Sequence, residues 1–143
     1  MTRLLYAPEP YRLRRPDVRI EAERQALVDS EHADALVGNG LGDVALAVVE
    51  SDGVATATLQ VAVFSALAPP DAARLLAAGF RADLGASPTP LVLGAHTVDR
   101  YVTSDGAVLV LWLSHHAVVT ITGAAGDEVD GFAQRYFASV DER

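Results

Sequence analysis

The feature that most constrains this chain is the apolar run over residues 107–123, AVLVLWLSHHAVVTITG, broken by a pair of histidines. In an extended chain Val108, Val110 and Trp112 point one way and Leu109, Leu111 and Leu113 the other. A strand apolar on both sides belongs in the interior of a sheet, covered on both faces. Ser114-His115-His116 then turns the chain into a second strand over 117–122. There, Val118, Thr120 and Thr122 share one side, and Ala117, Val119 and Ile121 share the other. The run predicts a central hairpin, and the remaining elements are expected to assemble around it.

At 143 residues the chain has the length of one domain with a real core. Half its residues are apolar and mean hydropathy is +0.22, which is not the composition of a disordered chain. A net charge of −8 argues against a nucleic-acid or anionic-membrane surface. With no cysteine, disulfides, thiolate catalysis and thiolate metal sites are excluded. All 11 basic residues are arginine, which removes Schiff-base chemistry and a Walker-type phosphate lysine. No apolar run reaches the length of a membrane span. The opening residues lack the continuous apolar core of a signal peptide, so the expected location is the cytoplasm. A trimmed exported protein carrying a new start Met is the alternative.

Residues 1–16 differ from the rest. They hold Pro8, Pro10 and Pro16, the tyrosines Tyr6 and Tyr11, and the arginines Arg3, Arg12, Arg14 and Arg15. Repeated proline disfavours helix and central strand, so this stretch reads as an extended arm ahead of a single α+β domain at 17–143. Residues 1–24 carry six arginines against four acids, whereas the remainder carries five against fifteen. The arm could dock on an acidic surface of its own body or of a partner; a solvated tail is the equal alternative.

A helix is expected over 17–37, with Asp17 capping and Glu21 and Glu23 in its first turns. Gly38-Asn39-Gly40-Leu41-Gly42 lacks the G-x-G-x-x-G spacing and is followed by a strand, so it reads as a helix stop and turn rather than a phosphate loop. Strands at 44–49 and 54–64 flank Ser51-Asp52-Gly53, a hairpin turn. The alternation slips near Gln60-Val61, through a bulge or burial on both faces. A second helix follows over 71–84, opened by Pro69-Pro70-Asp71. Residues 91–103 return to strand, in one piece or in two around Gly94, and Ser104-Asp105-Gly106 forms another hairpin turn. The last helix, 127–140, has Asp127 as its expected cap and Val129, Phe132, Ala133, Tyr136 and Val140 at helical spacing. The expected fold is α+β: a largely antiparallel sheet of about five to six strands, in the order helix-β-β-helix-β-β-β-helix. The two Ser-Asp-Gly turns, each followed by an acid-capped helix, raise the alternative of an internal ββα duplication against chance recurrence.

That order of elements over residues 20–140, with Glu50-Ser51-Asp52-Gly53 joining the first strands, resembles the roadblock-type, profilin-like dimerisation domains. Such a resemblance implies sheets that pair across a dimer. Leu41-Gly42-Asp43-Val44-Ala45, with Leu111-Trp112 and Val118-Val119-Thr120-Ile121, also looks like the small α+β domains of actinobacterial lipoproteins of unknown role. Neither resemblance implies catalytic residues.

His115 and His116 are the leading polar candidates, but neighbours in a strand point to opposite faces and cannot easily share one metal. A metal would need His96 or His32 with Asp99 or Asp105, and no H-x-x-x-H or H-E-x-x-H pattern is present. No metal or other cofactor is therefore expected. No G-x-S-x-G elbow exists, and the acids Asp127, Glu128 and Asp130 suit a helix N-terminus without catalysis. The reading is a non-enzymatic protein-interaction or accessory domain with a protein partner or a second copy, and the arm residues are the docking candidates. The alternative is a small-ligand-binding or enzymatic domain with an apolar pocket walled by Trp112 and Tyr101, and with Arg100, His115 and His116 as further contacts.

Overall fold

A computed structural model describes residues 4–14, 41–64, 71, 74, 77–78, 87–114 and 116–142. Its strands are β1 (Arg12–Arg14), β2 (Leu41–Ser51), β3 (Val54–Phe64), β4 (Thr89–Leu93), β5 (His96–Val102), β6 (Val108–Leu113) and β7 (Ala117–Gly123). Helix α1 (Gly126–Ser139) and a 3-10 turn (Val140–Glu142) follow. The strands form one antiparallel sheet in the order β1-β2-β3-β7-β6-β5-β4. The predicted hairpin is therefore internal: β6 pairs with β7 from Val108↔Gly123 to Leu113↔Val118, and β7 also pairs with β3.

The α+β class stands, but the described residues form seven strands rather than five to six, and the order changes at two places. A strand comes first, because residues 12–14 pair with Val48, Val49 and Glu50 of β2. Between residue 87 and the last helix there are four strands, not three, because the chain folds back at Gly94. Leu93 pairs with His96, and Gly94 has φ +61, as the first central position of a two-residue type II′ turn requires. The helix expected over 17–37 lies outside the described residues. Of the one expected over 71–84, Arg74, Ala77 and Ala78 are helical, and Ala77 is fully buried.

The two Ser-Asp-Gly turns are built differently. Asp52 and Gly53 both have positive φ, giving a two-residue type I′ turn. In the second, only Gly106 does; Thr103 and Ala107 close a three-residue loop, and Gly106 N–H donates to Thr103 O at 3.0 Å. The shared tripeptide therefore does not reflect shared geometry. β3 carries a bulge, but at Thr56, which stands between the Val49↔Ala57 and Glu50↔Ala55 pairs, with its Oγ1 donating to Val49 O at 3.3 Å. At Gln60-Val61 the ladder is regular, and burial on both faces explains the pattern there.

Helix α1 covers one face of the sheet. Val129, Phe132, Ala133, Tyr136 and Phe137 pack on Ala57, Leu59 and Val61 of β3, Val119 and Ile121 of β7, Val108 and Val110 of β6, and Val98 of β5. Burying each large side chain stabilises by about 1.5–3 kcal/mol. Asp127 is not the cap: Ala125 holds that position, with no side-chain bond, and Asp127 and Glu128 lie in the first turn, where they favour the helix dipole. The opposite face is buried as well, at Val48, Ala62, Phe64, Tyr101, Leu111, Val118 and Thr120.

Tyr6 belongs to this same core, and Leu4, Leu5, Ala7, Tyr11 and Leu13 pack against it. Tyr6 is 6% exposed and stacks on Tyr136 with ring centroids 4.9 Å apart. Its hydroxyl donates to Tyr136 O at 2.7 Å and lies 2.8 Å from Ser139 Oγ, and Tyr136 Oη donates to Leu4 O at 2.7 Å. Tyr11 meets Phe132 edge-on at 5.1 Å, and its hydroxyl lies 3.3 Å from where a Cβ on Gly131 would stand. An alanine there would press on the Tyr11 hydroxyl, whereas the glycine costs the helix roughly 1 kcal/mol.

Candidate functional site

Strand parity separates the proposed pocket walls. Tyr101 pairs with Leu109, while Arg100 pairs with Val110. Val110 and Trp112 point toward α1, so Arg100 does too, and Tyr101 points to the opposite face. Trp112 and Tyr101 therefore cannot wall one pocket. Tyr101 is fully buried, and its hydroxyl has no hydrogen-bond partner among the described residues. Arg100 forms a bidentate pair with Asp130 of α1, Nε–Oδ1 2.9 Å and Nη2–Oδ2 3.0 Å, which raises the guanidinium pKa and ties β5 to the helix.

The polar cluster that does assemble lies at the start of β5. His96 packs edge-on against Trp112 at 4.8 Å, and Trp112 meets Phe137 edge-on at 5.4 Å. His96 Nε2 lies 3.0 and 2.9 Å from the two carboxylate oxygens of Asp141. A recess of about 310 Å³ is lined by Leu4, His96, Trp112, Ser114, Val140 and Asp141, so the N-terminal segment, the sheet and the C-terminal turn all contribute to it. Its lining combines the apolar Leu4, Trp112 and Val140 with Ser114 and the His96–Asp141 pair. Asp141 stands 45 residues from His96 and carries no local sequence signal that links the two.

Of the other candidates, His116 is exposed and its carbonyl accepts Phe64 N–H at 2.7 Å, while His115 lies outside the described residues. Tyr6 and Tyr11 pack on this chain's own helix. Arg12 is exposed, Arg14 Nε sits 2.6 Å from Glu50 Oε1, and Arg3 and Arg15 lie outside the described residues. Among the described residues no three histidine or acidic side chains converge as for a metal, and no helix is long and apolar enough to cross a membrane.

The two sheet edges are unlike. β1 is three residues long, follows Pro10, and presents Arg12 and Arg14. β4 is Thr-Pro-Leu-Val-Leu, without a charge, and its Val92 is 72% exposed. On the helix side of β4 a second recess, about 270 Å³, is lined by Thr89, Leu91, Leu93, Arg100, Asp130 and Gln134.

Compared with known protein families, curated proteins and solved structures, the chain matches none.

Proposed function

We propose that this is a protein-interaction domain, without chemistry of its own, that joins another polypeptide by strand addition at β4. The contrast between the edges carries the reading. Edge strands invite pairing, and proteins block it with short strands, charge or proline. β1 is three residues long and carries two arginines, with Pro10 just ahead of it; β4 has Pro90 within it and Pro88 beside it, but it is longer, bears no charge and exposes Val92. Strand addition draws affinity from main-chain hydrogen bonds and specificity from alternate side chains.

The test is a titration of the isotope-labelled full chain with uncharged strand-forming heptapeptides, one of them residues 88–94 of this chain. Shifts and slowed exchange at the Val92 and Gly94 amides are expected, and Val92→Lys should weaken binding roughly tenfold by burying a charge at the contact. Perturbation elsewhere, or none, removes the reading.

The recess beside Trp112 supports a second reading, a small-molecule site for an alkylammonium group that would compete with His96 for Asp141 and lie beside Trp112. Trp112 is the chain's one tryptophan, so its fluorescence reports directly. Titration with primary alkylamines should change it, and no response at millimolar amine discards this reading.

A further inference from the structure

We propose that the partner at β4 is a second copy of this chain, paired antiparallel about a two-fold axis through Val92. The proposal rests on the reading of β4 as a docking edge and goes on to say what occupies it.

The backbone inventory of the edge is the argument. Leu93 and His96 flank a two-residue turn, so they face each other as a hydrogen-bonded pair, and Leu91↔Val98 and Thr89↔Arg100 follow in alternation. The amides and carbonyls of residues 89, 91 and 93 are thereby used within the sheet, and those of 90 and 92 point outward. The Leu93 carbonyl turns inward to His96, so the trans peptide plane aims the Gly94 N–H outward. The edge therefore offers two acceptors, the carbonyls of Pro90 and Val92, and two donors, the N–H groups of Val92 and Gly94. Proline supplies no donor.

A two-fold axis at Val92 matches these groups to themselves. Val92 exchanges both main-chain bonds with the partner's Val92. Pro90 falls opposite the partner's Gly94, where its carbonyl takes the glycine N–H and its own lack of a donor costs nothing. Centring the pair on Leu91 instead would set each Val92 carbonyl against a proline nitrogen.

The side chains agree with this register. On the helix side, Leu91 stands opposite the partner's Leu93, twice over, in the closely spaced non-hydrogen-bonded positions at about 4.5 Å between Cα atoms. Both leucines are half-buried and border the recess beneath α1, so the pairing extends an apolar stripe that already exists. On the opposite face the exposed Val92 meets the partner's Val92. No charged side chain lies on β4, so two chains of net charge −8 meet without like charges opposed along the strand. The product is one continuous sheet with both α1 helices on the same face.

The chain has no cysteine, which makes the test clean. Hydrogen-bonded antiparallel partners have Cα atoms about 5.5 Å apart, within disulfide reach. In the full-length chain, Val92→Cys should form a disulfide-linked dimer at least roughly tenfold faster than Val54→Cys, an equally apolar and 62% exposed control beside the β2–β3 turn. Light scattering of the unmodified chain should give twice the 15.1 kDa chain mass, and Val92→Lys should return it to one. A chain that stays at one mass up to about 1 mM, at which only millimolar affinities escape detection, overturns the proposal, as does equal cross-linking of the two cysteine variants. A single mass together with peptide shifts at Val92 and Gly94 removes self-pairing and leaves strand addition standing; a single mass without those shifts removes both.

Discussion

Replacing Tyr101 by phenylalanine should stabilise the protein. Its ring is fully buried on the sheet face opposite α1, and its hydroxyl is buried with no partner among the described residues. An unsatisfied buried hydroxyl costs about 1–3 kcal/mol, because its bonds to water are lost without replacement. Removing it vacates on the order of 20 Å³, which at 24 cal/mol per Å³ costs about 0.5 kcal/mol. The difference favours Tyr101→Phe by roughly 0.5–2.5 kcal/mol. For a chain of this length that raises Tm by about 2–8 °C. Urea and thermal unfolding of the two proteins, with the m-value checked for constancy, measures it. The companion Tyr6→Phe should move the opposite way by about 1–3 kcal/mol, since that hydroxyl bonds Tyr136 O and Ser139 Oγ. An unchanged or lower Tm for Tyr101→Phe would refute the argument, because it would mean that the hydroxyl is bonded in solution.

Gly94→Ala should cost at least about 2 kcal/mol in denaturant unfolding: φ is +61, and the new Cβ would stand 2.5 Å from Phe137 O, so the turn or the end of α1 must move. Tyr136 has its pKa raised, first by burial and then by the neighbouring Tyr6. Above about pH 10 the unfolded chain therefore loses this proton before the folded one, stability falls as pH rises, and Tyr136→Phe should flatten that part of the stability–pH curve. Asp130→Ala breaks the bidentate pair with Arg100; because the Arg100 and Asp130 side chains are 26% and 34% exposed, equilibrium unfolding should show a loss of only about 0.5–1 kcal/mol.

Local patterns carried much of this fold. The two-sided apolar run at 107–123 is enough to place a central hairpin, because alternation and burial on both faces follow from backbone geometry alone. Asp-Gly at 52–53 meets the positive φ that a type I′ turn demands, and the spacing of Val129, Phe132, Ala133 and Tyr136 reports the buried stripe of α1. Other features depend on distant residues coming together. Three prolines and a positive charge balance made residues 1–16 look separate, yet Tyr6 is drawn into the core by Tyr136, 130 positions away. Whether residues 91–103 made one strand or two rested on a single φ at Gly94. Tyr101 and Trp112 looked like neighbours until the ladder register sent them to opposite faces, since a one-residue difference in register reverses every side chain. The pairing of His96 with Asp141, and which strand ends the sheet uncharged, follow from the order in which strands meet. Chain neighbours do not encode that order; long-range packing sets it.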